Sequence, residues 1–237
     1  MNAGKTVTVV MLPGLDGTGT LFRPLLEVLP AGIHSKVIAY PSDQLLSLSE
    51  YAGFVARQLP REKSILLAES FSGLVALSLL GNGATRFSGV LFVAGFAEPP
   101  MRFLLRLAPL VPRLGSAMRS APSFLLRQFC LGKEAKAQQL ALVREALATV
   151  TPDVLKHRLE LVATRRAFGK TKFRIPCHYL QAGEDRLIPA TSARWFQQHF
   201  ETYEVTSIQG PHFLLQAQPR RCAEWISEKA TLLSKPA

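Results

Sequence analysis

The sequence predicts an α/β fold, a mostly parallel sheet covered by helices on both faces. Strand-like apolar runs alternate with helix-like segments along most of the chain. One of these runs, Ile65-Leu66-Leu67-Ala68-Glu69, breaks abruptly at Ser70 into a helical stretch. The alternation stops after Phe96 and resumes near Ile175, which divides the 237 residues into a core (1–96 and 174–237) and an insertion (97–173). That length suits one α/β domain with a substantial interior.

In chain order, Val7–Leu12 reads as the first core strand and runs into the glycine-rich loop Pro13-Gly14-Leu15-Asp16-Gly17-Thr18-Gly19. A helix is expected near Phe22 to Leu29, a strand at Lys36 to Tyr40 and a helix from about Leu48 to Leu59. The strand Ser64 to Ala68 precedes a helix through Gly73–Leu80, and Gly89–Ala94 forms the next strand. The insertion looks helical, most clearly from Ala135 to Val150, where Leu140, Val143, Leu147 and Val150 fall on one face. Pro109, Pro112, Pro122 and Pro152 divide it into short pieces. Two last strands are expected at Cys177–Ala182 and Tyr203–Ile208.

The break at Ser70 reads as a nucleophile elbow, a tight strand-to-helix turn that needs small residues two positions before and after the serine. Ala68 and Ser72 fill those positions, where the usual pattern has glycine. A serine hydroxyl is a poor nucleophile until a neutral imidazole takes its proton, and a carboxylate must hold that imidazole in the right tautomer. The elbow predicts these partners downstream, acid first. Asp185 follows the strand Cys177–Ala182 in Gly183-Glu184-Asp185, with Glu184 as the adjacent alternative, and His212 follows Tyr203–Ile208 in Gly210-Pro211-His212-Phe213. The oxyanion of a tetrahedral intermediate needs preorganised donors. The backbone amides of Phe71 and of Leu15, in the loop after the first strand, are the candidates, with the neighbouring Asp16 as the alternative to Leu15.

With these three motifs in order, the chain resembles the α/β-hydrolase superfamily from about Val7 to about Leu233. The resemblance implies Ser70, Asp185 and His212 as a catalytic triad, and 97–173 as a lid over the active site. Many relatives open the oxyanion loop with His-Gly where this chain has Pro13-Gly14, and often carry histidine where this chain has Glu69. The size, the helical insertion and its arginines look like the esterases that cleave pimeloyl methyl ester on acyl carrier protein. Leu12-Pro13-Gly14-Leu15-Asp16-Gly17 is also similar to the opening of plant-type acyltransferases that make phytyl esters. Carboxylic ester hydrolysis is the activity expected. Thioester or lysophospholipid cleavage, acyl transfer and a non-catalytic binding module stay open at this stage.

Charge gives the insertion a partner class. Residues 97–173 contain 14 Lys or Arg against 5 Asp or Glu, nine of the chain's eleven net positive charges. Together with Phe103-Leu104-Leu105 and Phe124-Leu125-Leu126 this suggests attraction of an anionic carrier, such as acyl carrier protein, with Arg102 and Arg106 on one helix face as candidate contacts. No nucleic-acid motif accompanies the basic residues. Asp16-Gly17-Thr18 lacks the aspartate that a phosphatase signature needs two residues earlier, where Gly14 stands, and Gly4-Lys5-Thr6 lacks the glycine loop of a P-loop. Three cysteines without metal spacing suggest a reducing compartment, and the absence of a leader-like or membrane-length apolar stretch predicts a cytoplasmic protein. No metal or cofactor is expected.

Overall fold

The computed structural model describes residues 6–83, 86–100, 113–164, 168 and 172–234. Six strands, β1 (Val7–Leu12), β2 (Ile33–Val37), β3 (Ser64–Glu69), β4 (Phe87–Val93), β5 (Cys177–Ala182) and β6 (Tyr203–Ile208), form one sheet in the order β2-β1-β3-β4-β5-β6. Every pairing is parallel. All six residues of β3 are buried, as expected for a strand covered on both faces. Leu66 and Ala68 point into one apolar layer, Ile65 and Leu67 into the other.

The first layer is made with α2 (Leu48–Ala56), α3 (Ser72–Gly81) and α7 (Ala193–His199), which contribute Tyr51, Leu74 and Phe196. α1 (Arg23–Leu26) and α8 (Pro219–Leu233) close the second with Leu25 and Ile226. A capping box fixes the start of α2: the Ser47 hydroxyl accepts from the Glu50 N–H, and the Glu50 carboxylate accepts from the Ser47 N–H.

Between β4 and β5 the chain forms α4 (Leu114–Arg119), a short turn Ser123–Leu125 that runs into a π-helical turn Leu126–Leu131, α5 (Ala137–Ala148) and α6 (Pro152–Thr164). The helix expected at Ala135–Val150 is α5, and Pro152 opens α6.

Two expectations need correction. The second strand begins at Ile33 and ends at Val37, because β1 pairs Val7 with Ile33 and Met11 with Val37. Ile38 still donates to the Met11 carbonyl, but Tyr40 has left the ladder and donates to Gly17 in the loop, so these buried apolar residues lie beyond the strand that they suggested. The helix expected through Leu29 ends at Leu26, since Val28 and Leu29 both return their N–H to Leu25 and Pro30 follows.

Candidate active site

The order β2-β1-β3 places the loop after β1 beside the turn after β3, at the carboxyl ends of the strands where the winding direction reverses. Ser70 sits at that turn with φ 49°, a left-handed conformation costly for a residue with a Cβ. Its N–H donates to the Val93 carbonyl, 2.9 Å away. The small residues work differently from the expectation. Ser72 is fully buried and its hydroxyl donates to the Pro13 carbonyl beside the Tyr40 hydroxyl, so a side chain is tolerated there and ties the turn to the loop after β1. The close backbone approach falls one residue later, at Gly73, where a Cβ would lie 3.2 Å from the Phe96 oxygen.

The loops after β5 and β6 are joined by two backbone bonds, Gly183 N–H to Ile208 O and Glu184 N–H to Gly210 O, both 2.8 Å. This brings Asp185 and His212 together. His212 Nδ1 donates to Asp185 Oδ2 at 2.8 Å, and Nε2 lies 2.9 Å from Ser70 Oγ. The carboxylate on Nδ1 selects the tautomer whose Nε2 lone pair faces the serine. Asp185 Oδ1 accepts from the Leu187 and Ile188 amides, each at 2.8 Å, which fixes the carboxyl plane. The neighbouring Glu184 is exposed.

Ser70 and His212 open into an apolar cavity of about 370 Å³. Leu15 and Phe71, the candidate oxyanion donors, lie on its wall, and Leu126, Phe129 and Val143 close it from the segment between β4 and β5. Cys130 also lines the cavity, but burial, with Asp185 adding to it, pushes its thiol up to about 12, so it stays a neutral wall residue. Arg102 and Arg106 lie outside the described residues. His178, His157 and His199 bond Glu204, the Leu46 carbonyl and the Trp195 carbonyl respectively, away from the cavity.

Arg158 on α6 was not anticipated. It is fully buried and donates from Nη1 to the Leu15 and Asp16 carbonyls (3.0 and 2.6 Å), from Nη2 to Pro41 (2.9 Å) and from Nε to the Tyr51 hydroxyl (2.9 Å). It lies over the Tyr40 and Tyr51 rings as well. This guanidinium braces the loop after β1. One signal was present in the sequence, since Val154, Arg158 and Val162 are spaced four apart and all three are buried, so the arginine occupies an apolar stripe. Asp16, the residue of the discarded phosphatase signature, folds back to accept from the Thr18 N–H and hydroxyl.

Gly17 has φ +71°, and a Cβ there would fall 2.3 Å from Arg158 Nη1. Gly17→Ala is expected to lower the unfolding free energy by about 1–2 kcal/mol from the backbone alone, with an added loss of activity as Arg158 is displaced. Denaturant unfolding together with turnover of a model ester checks both effects. An unchanged midpoint would count against the tight contact.

Residues 9–225 match the model of a family described as "Alpha/beta hydrolase family". The chain belongs to this family. Among solved structures, the alpha/beta hydrolase described here is similar to an enol-lactonase from Burkholderia xenovorans LB400 (12% identity, 98% of this chain and 94% of that one, TM-score 0.80). It is also similar to an esterase from Exiguobacterium antarcticum (14%, 96% and 93%, TM-score 0.77) and to the RedJ thioesterase of the prodiginine pathway of Streptomyces coelicolor (18%, 97% and 91%, TM-score 0.68). No curated protein matches it in sequence. Among the described residues of this alpha/beta hydrolase, no helix is long and apolar enough to cross a membrane, and no group of His, Cys, Asp or Glu has the arrangement of a metal site.

Proposed function

We propose that the protein is a serine hydrolase of carboxylic esters whose acyl chain lies in the apolar cavity. The observation that carries this is the continuous relay from Asp185 through His212 to Ser70 at that cavity. Ser70 Oγ attacks the ester carbonyl carbon while His212 Nε2 takes its proton. The carbonyl oxygen becomes an oxyanion, for which the amides of Leu15 and Phe71 are the proposed donors. As the C–O bond to the alcohol breaks, His212 returns the proton to the leaving oxygen. Water then attacks the acyl-enzyme with His212 again as base, releasing the acid and restoring the Ser70 hydroxyl. Asp185 keeps the imidazole oriented and stabilises its protonated form.

Residues 97–173 act, in this reading, as a lid. Their excess of positive charge suits an ester delivered on an anionic carrier, such as a methyl ester on acyl carrier protein, with Arg102 and Arg106 as its proposed contacts. An esterase and a thioesterase are among the structural neighbours, which is in keeping with an acyl substrate.

The test is hydrolysis of p-nitrophenyl esters from acetate to palmitate by the native protein and by Ser70→Ala. Release of nitrophenol that falls by several orders of magnitude in the variant is expected, with an optimum chain length set by the cavity. Equal rates for the two proteins would end the proposal.

A further inference from the structure

The residue before the proposed nucleophile is a buried acid that borders the same cavity as Ser70 and His212. Glu69 is 4% exposed. Its Oε1 accepts from Gln216 Nε2 at 3.0 Å, whereas Oε2 is buried without a hydrogen-bond partner, as are Asp16 Oδ1 and Gln216 Oε1. Asp16 Oδ1 and Glu69 Oε2 would both lie 3.7 Å from a Cβ placed on Gly14, so they border the same backbone at the start of the loop that carries Leu15. Three buried acceptor oxygens without a donor are costly. A proton on Glu69 Oε2 relieves that cost, because it turns one acceptor into a donor.

We propose that Glu69 is a positioning residue that works in its protonated form: as a neutral acid it supports the loop at residues 13–17, and its ionisation lowers turnover. Ionised, Glu69 would put a second buried negative charge beside Asp16 and attract the backbone N–H of the neighbouring Gly14 more strongly. The loop amides would then serve Glu69 in competition with the developing oxyanion. The proton lost goes to solvent, and no other bond changes.

The surroundings favour the neutral form near neutral pH. Burial pushes the Glu69 carboxyl up to about 7; the hydrogen bond from Gln216 opposes this, the Asp16 carboxylate reinforces it, and His212 and the Gly14 N–H oppose it. Cys222 on α8 also faces Glu69, and burial pushes its thiol up to about 12, so it stays neutral. The sign follows. At low pH folded and unfolded chains both hold the proton. As pH rises toward about 7 the unfolded chain loses it first, so stability is lost across that range.

The role in turnover rests on the ester-hydrolase reading, so the test has two arms with Glu69→Gln, which keeps the shape and places a donor at the Oε2 position. In the first arm, which needs no activity, melting temperatures of native protein and variant are compared from about pH 4.5 to about pH 8.5. The variant is expected to gain on the native protein as pH rises; a gap independent of pH overturns the protonated state.

The second arm is the pH profile of ester hydrolysis. The native rate is expected to fall roughly tenfold per pH unit on its alkaline side, and the variant to lose that fall. Asp16→Asn, which removes the charge that helps hold the proton, is expected to move the fall to lower pH. The same alkaline limb in native protein and Glu69→Gln overturns the role in turnover while leaving the hydrolase intact. Absence of hydrolysis by the native protein sinks the hydrolase reading and this role with it, whereas the melting comparison still decides the protonation state.

Discussion

Asp185→Asn is expected to lower kcat/KM on a nitrophenyl ester by about four orders of magnitude with the fold retained. The geometry dictates which way the asparagine amide turns. Position Oδ1 accepts from the Leu187 and Ile188 N–H groups, so the asparagine oxygen must occupy it and the NH₂ must face His212 Nδ1. Nδ1 is then forced to accept, the imidazole proton moves to Nε2, and Ser70 loses its proposed base. Steady-state kinetics with a thermal melt as the folding control checks this. A loss below about tenfold would mean that Asp185 does not set the tautomer.

Arg158→Met is expected to cost about 3–5 kcal/mol of stability and most of the activity. Methionine covers the aliphatic part of the arginine but leaves the carbonyls of Leu15, Asp16 and Pro41 and the Tyr51 hydroxyl without a donor. Each buried acceptor abandoned in this way costs about 1–3 kcal/mol, partly offset because a guanidinium no longer has to be kept out of water. Tyr51→Phe, which removes only the Nε partner, is expected to cost about 1 kcal/mol. Denaturant unfolding of both variants decides the matter, and equal losses would show that the loop carbonyls find other donors.

The elements that carry Ser70, Asp185 and His212 were legible because each motif is local: an apolar run, a break and a reactive side chain within ten residues. The sheet was legible for the same reason, except at β2, an edge strand whose paired residues His34, Ser35 and Lys36 are polar while the apolar Ile38 and Tyr40 lie beyond its end. Arg158 was hidden among 14 cations of the insertion, and its partners lie more than a hundred residues away in sequence. Glu69 was noticed only as a departure from relatives. Its isolation depends on Gln216 and Asp16 converging from opposite ends of the chain, which no local pattern encodes.

The hydrogen-bonded relay spans four neighbouring strands, with Ser70 after β3 and Asp185 and His212 after β5 and β6, so β4 lies between them and supplies none of the three. β4 is therefore a spacer whose width and twist set the gap between Ser70 and His212. The loops of Asp185 and His212 are fastened to each other by two backbone bonds, whereas Ser70 meets His212 through one side-chain contact, so the Ser70–His212 distance is the length that β4 governs. Phe92, packed on β4 against Phe196 with ring centroids 4.5 Å apart, belongs to the layer that controls this length. A volume change at Phe92 would be read out as a change in chemistry at a site that it never touches, with the whole sheet acting as the lever.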